Sequence, residues 1–230
     1  NESGTNVTTA VNASAMTGEF KFTEGVTNDL TITGSATAKN TFVMGATLNN
    51  DDTLTGGSST KDSVSATINA STATTGKFNL TAIETLALTV TDGSTNTVDL
   101  SSSSGVTAAT IAASAGAGNG VLTLKGLASG TTVSTTEQGT NDFDGTLTVA
   151  LADATGASDA ITIGLENDTT ADDFTFVSSG IETVTFAGNT TDGINAGTDV
   201  DISGSDATSI VLSGGDSSSK VNFSGANANK

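Results

Sequence analysis

Asp62–Val90 reads DSVSATINASTATTGKFNLTAIETLALTV, and Asp159–Gly188 reads DAITIGLENDTTADDFTFVSSGIETVTFAG. The second stretch repeats the first: Ile83-Glu84-Thr85 falls on Ile181-Glu182-Thr183, a shift of 98 positions, and VDL at Val98 falls on VDI at Val200. Farther on, VLTLKG ending at Gly126 matches VNFSG ending at Gly225, and a partial copy, DLTITG, ends at Gly34. The chain therefore reads as a little over two copies of one unit: a partial β-unit and assembly segment at 1–61, a first full repeat at 62–158, and a second at 159–230. Repetition of this kind builds extended surfaces more readily than a single active site.

Within each copy the apolar residues alternate in short blocks: FKF, LTIT, LTLK, LTVAL, ITIGL, FTFV, VTFA. Alternation at period two over four to seven residues, bounded by Gly, Asn, Asp or Ser, predicts half-buried strands with Thr and Ser on the solvent side. Helix is not expected; even TAATIAASAGAG from Thr107 reads as a strand and a turn. The polar spacers between blocks are wide, unlike two-residue hairpin turns, and ladders of Thr, Val and Ile favour parallel coils. The predicted fold is all-β, a parallel β-helix or solenoid; the alternative is a tandem array of β-sandwich domains, whose size the 98-residue period matches.

Composition removes whole classes of chemistry. The 230 residues include no His, Cys, Pro, Trp or Tyr, and all seven basic residues are Lys, against 25 acids, for a net charge of −18. No Ser-His-Asp triad, Cys-His pair or tetrahedral zinc site can be assembled from this alphabet. We therefore expect no enzyme; a polysaccharide-cleaving β-helix would also want aromatic platforms. The charge opposes binding to nucleic acid, and no apolar run approaches the roughly 20 residues of a membrane-spanning helix. The chain opens on Asn1 with no basic, apolar leader, so a processed chain, a fragment or an export signal elsewhere is expected.

The acids gather at strand ends and turns. Asp51 and Asp52 precede Asp62, Asp142 and Asp144 precede Asp159, and Asp199 and Asp201 precede Asp206. Neighbouring carboxylates repel one another, and hard oxygen ligands suit Ca²⁺, so Asp51, Asp52, Asp62, Asp142, Asp144, Asp159, Asp199 and Asp201 are the candidate metal ligands. Exposed acids that keep strand edges apart explain the same pattern without metal. Glu84 and Glu182 occupy matching places in the repeat, which favours a structural role in which each opens a strand and bonds to neighbouring backbone.

Asn49–Val64, NNDDTLTGGSSTKDSV, resembles the calcium-binding GGxGxDxUx nonapeptide of RTX proteins and the DTLTGG segments of proteobacterial surface-layer proteins exported by type I secretion. It departs from the nonapeptide in having Ser59 in place of the second-turn glycine and Asp62 one position late. The IET units at Ile83 and Ile181 are similar to the IETVxV units of those same surface-layer proteins and of related adhesins. The resemblance implies an extracellular, cell-surface subunit of a surface layer or fibre. Such a subunit would be ordered by Ca²⁺ and would assemble with copies of itself into a lattice or filament, with cell-surface polysaccharide as a further expected partner. A passive β-repeat spacer in a large secreted adhesin is the alternative.

Overall fold

A computed structural model describes residues 9–25, 27–69, 76–113, 120–136, 143, 145–165, 173–188, 196–214 and 220–224. These form twenty strands. The first are β1 (Ala10–Asn12), β2 (Phe20–Thr23), β3 (Thr31–Thr33), β4 (Asn40–Gly45) and β5 (Thr53–Thr55). Next come β6 (Ser63–Ile68), β7 (Gly76–Lys77), β8 (Asn79–Thr81), β9 (Thr85–Val90) and β10 (Thr95–Asp99). Then follow β11 (Ala108–Ala113), β12 (Val121–Leu127), β13 (Thr132–Thr136), β14 (Thr146–Leu151) and β15 (Ala160–Leu165). The last are β16 (Asp173–Ser178), β17 (Thr183–Gly188), β18 (Ala196–Ser205), β19 (Ser209–Ser213) and β20 (Lys220–Ser224).

Every strand pairing is parallel, and no helix is present among the described residues. One face is a nine-stranded sheet in the order β2-β4-β6-β9-β11-β13-β15-β17-β19. Opposite it lie a four-stranded sheet, β1-β3-β5-β8, and a seven-stranded one, β7-β10-β12-β14-β16-β18-β20. The chain is thus a β-solenoid in which each turn contributes one strand to each side. The tandem-sandwich alternative, which needs antiparallel pairing, is set aside.

The alternation in sequence produces the alternation in burial. In β6, β9, β11, β14 and β15 each second residue is buried and each intervening one half-exposed. Parallel, in-register pairing then stacks the inward residues in columns along the axis. Phe42, Val64, Leu86, Ala109, Val133, Ile163 and Phe186 form one such column. Phe176 from the opposite side meets Phe186 edge-on, with ring centroids 5.8 Å apart. Where polar groups enter the core they satisfy one another: Ser178 and Ser205 share a buried hydroxyl–hydroxyl bond of 2.8 Å.

The 98-residue period is four rungs of this ladder. Ile83 and Ile181, both buried, each stand two residues ahead of a strand of the nine-stranded sheet, and β17 lies four strands beyond β9. The underlying step is shorter, with bonds between adjacent rungs joining residues 22 or 23 apart. Hydrogen-bonded pairing runs on across both expected unit boundaries, from β4 to β6 and from β13 to β15. Strands β1, β5 and β13 fall outside the strands that the alternation predicts, and the stretch 77–81, predicted as one strand, is divided between β7 and β8. Ala10–Asn12, in the expected assembly segment, pairs with β3 as the first strand of the four-stranded sheet.

Because each rung touches only its neighbours, a core truncation should be felt locally and in full. Ile111→Ala, at a fully buried position midway along the stack, is expected to lower stability by about 2–5 kcal/mol in denaturant titration. Thr110→Ala, one residue away on the outer face, should stay within about 0.5 kcal/mol of the parent.

Candidate functional site

A coil that turns into a strand leaves backbone N–H groups at its corner, pointing along the axis at the next coil. Buried donors without acceptors cost about 1–3 kcal/mol each. The sequence places carboxylates at these corners. Asp62, the residue before β6, is fully buried. Its Oδ1 accepts from the backbone N–H of Asn40 on the preceding rung at 2.7 Å, and its Oδ2 accepts from Gly57 N–H in its own turn at 2.7 Å. Asn40 Nδ2 also donates to Asp62 Oδ2 at 3.1 Å. One rung on, Glu84 Oε2 accepts from the backbone N–H of Asp62 at 2.9 Å.

The second copy repeats the arrangement. Asp159 Oδ2 accepts from Gly156 N–H at 3.1 Å, and Glu182 Oε2 accepts from Asp159 N–H at 2.8 Å. Glu84 and Glu182 therefore play the structural part expected of them, each bonding to the backbone of the rung before it. The Gly-Gly turn at 56–57 acquires a physical reason as well. A Cβ at Gly56 would run into the Ala82 carbonyl and the Asp62 carboxylate, so the close approach of the two coils requires glycine there. Asn40 is the neutral version of the same device, its Oδ1 accepting from Ser35 N–H at 2.6 Å.

The opposite side uses it too. Asp52, just ahead of β5, is buried and accepts from Leu30 N–H at 2.8 Å and from Asn49 N–H at 2.9 Å. Burial raises its pKa against the lowering effect of those two bonds. Near it, Glu24 is pushed up to about 7, chiefly by burial and further by the charge of Asp52, with the Thr47 hydroxyl bond opposing the shift. Its Oε2 accepts from Thr47 Oγ1 at 2.6 Å, while Oε1 is buried without a hydrogen-bond partner among the described residues. Asp206, on the last turn into the nine-stranded sheet, accepts from Gly180 N–H at 3.1 Å.

Among the described residues, Asp52 and Asp62 of the first expected cluster do not converge. Asp52 and Asp62 serve corners on opposite sides of one coil, and their oxygens already face N–H donors, whose partial positive charge opposes a cation. Asp51 is exposed. Asp201 faces outward from β18, half-buried. Asp142 and Asp144 lie outside the described residues, as does the side chain of Asp199. Among the described residues no group of three or more acids is placed to hold a metal ion. The capping parts of Asn40 and Asp206 went unread in the sequence. What betrays them is a polar residue immediately ahead of an apolar alternation, one coil length from another.

Asp62→Ala would leave the Asn40 and Gly57 N–H groups without acceptors, at about 1–3 kcal/mol each, and Asp62→Asn should lose less because it keeps one acceptor oxygen. Gly56→Ala should destabilise the fold although it adds only a methyl group. Thermal melts of the three variants against wild type check this order.

The raised Glu24 pKa carries a sign. The folded state holds this proton more tightly than the unfolded one, so the contribution is fully present below about 4.5 and is lost as pH rises through about 7. Relative to Glu24→Gln, the wild-type melting temperature is expected to rise as pH falls from 7 to 4.5. Parallel profiles for the two proteins would contradict it.

Compared with family models, curated protein sequences and solved structures, the chain has no match in any of the three.

Proposed function

We propose that this protein is a structural element of an extracellular assembly, a surface-layer or surface-fibre subunit whose task is to be a regular, stiff rod that associates with its own kind. The observation that carries this reading is the unbroken nine-stranded parallel ladder with its corner carboxylates. These polar groups hold coil to coil, and each is occupied by a neighbouring backbone N–H. A recess of about 130 Å³ lies between turns, lined by residues such as Leu100, Ser103, Val106 and Leu127, and its lining includes no acid or base. That is smaller than the roughly 300 Å³ at which ligand sites begin.

Parallel stacking also makes the rod polar along its axis: Leu212, in register above Phe186 on β19, is 54 % exposed, while Phe20 and Phe22 on β2 are only partly buried. A polar rod favours head-to-tail contacts, which grow as filaments when they do not close into rings. Calcium enters the proposal through the exposed acids, such as Asp51, as a counter-ion to the charge of −18.

Electron microscopy of the purified protein in millimolar Ca²⁺ and in chelator tests the proposal. Ordered arrays or filaments are expected, denser with Ca²⁺. A protein that stays monomeric at high concentration in both conditions would instead be the passive spacer of a large adhesin.

A further inference from the structure

The two sides of the solenoid differ in charge. On the nine-stranded sheet, every outward position from β4 to β19 is Thr, Ser, Ala, Gly or Val. One column in register runs Ser65, Ala87, Thr110, Ser134, Gly164, Ala187. All six are half-exposed, and among the described residues no strand packs over them. The seven-stranded sheet, by contrast, carries Asp99, Lys125 and Asp201 on its outer face, the first two paired at 3.1 Å. Among the described residues, no charged side chain stands at an outward position of the nine-stranded sheet's strands from β4 to β19, in a chain of 25 acids and 7 Lys.

Resting on the self-assembly reading, we propose that this uncharged face is the lateral contact between copies, and that its occupant is the same face of a second copy of this chain. Three observations select that occupant. A partner bearing the same charge of −18 can approach closely only where neither surface is charged. Eight strands at about 4.8 Å by six residues at about 3.3 Å give a face of about 760 Å², close to the roughly 800 Å² per partner of a standard stable interface. Side chains no larger than Val or Thr let flat sheets approach and interdigitate, as in silk-like and zipper stacking. Lys21 on the outward side of the end strand β2 and the exposed Lys39 and Lys61 near the corners mark a charged margin around the uncharged centre.

Sedimentation velocity across the micromolar-to-millimolar range tests this on the whole chain. The variants are Thr110→Glu and Thr110→Lys at the centre of the face, and Thr148→Glu on the outer side of the seven-stranded sheet; thermal melts establish that each is folded. Wild type is expected to pair, both Thr110 variants to weaken pairing at least about tenfold, and Thr148→Glu to pair like wild type. The lysine variant is the discriminating one, since it lowers the net charge and would strengthen association if overall repulsion alone controlled it. Thr110→Lys pairing as well as wild type overturns the proposal. Wild-type association unaffected by either Thr110 change also overturns it, while leaving assembly through the rod ends intact. A wild type that is monomeric throughout, including one whose face adsorbs instead to ice or to crystalline polysaccharide, overturns both this contact and the self-assembly reading.

Discussion

The stack depends on the bond between a corner carboxylate and the backbone N–H of the rung before it. Parallel strands satisfy their own amides along their length, but the chain must bend between them, and several bends leave N–H donors that the strand ladder does not reach. Asp52, Asp62, Glu84, Glu182 and Asp206 each supply acceptors at such a point. The inward columns provide most of the hydrophobic stabilisation, yet register along them is degenerate, because Val, Leu and Ile can follow one another in any order. The corner bonds break that degeneracy. A coil shifted by one residue would turn its core outward and strand its carboxylate beside no donor.

The fold was legible in the sequence because period-two alternation maps directly onto burial. FKF, LTIT and ITIGL become β2, β3 and β15 with the expected side inward. Parallel pairing was legible from what was missing, since no tight hairpin turns separated the blocks. The step of the coil was not. The eye is drawn to Ile83-Glu84 and Ile181-Glu182, where identical corners recur, and not to the intervening rungs, where the corner is made by other residues. At the rung after Glu84, for example, Thr107 and Ala108 donate their N–H groups to the Glu84 carbonyl, and no carboxylate takes part. Strand β13, TVSTT, was missed because its inward Thr135 breaks the apolar alternation; its hydroxyl is accommodated by the Gly164 carbonyl of the adjacent rung at 3.5 Å.

The candidate site was half legible. Asp52, Asp62 and Asp159 stand just ahead of a strand, as the sequence suggests, whereas Asp201 lies within β18. In a solenoid, nearness along the chain is a separate matter from nearness in space. Asp52 and Asp62 are ten residues apart and nevertheless face opposite sheets, whereas Asp62 and Glu84 are a full coil apart and in direct contact. Neighbourhood here runs along the axis at one-coil spacing, so charges close in sequence are separated around the girth.

Register pairing also fixes how the molecule can vary. Ser63 pairs with Thr85 across a short excursion, while Thr132 reaches Thr162 through a much longer one, yet both steps advance the stack by one strand spacing, about 4.8 Å. Axial length is therefore counted in strands and not in residues. Loops can lengthen, shorten or acquire new side chains without altering the pitch that any neighbour in an assembly must match. Such a rod behaves like a ruler whose markings stay fixed while its edge is free to be carved.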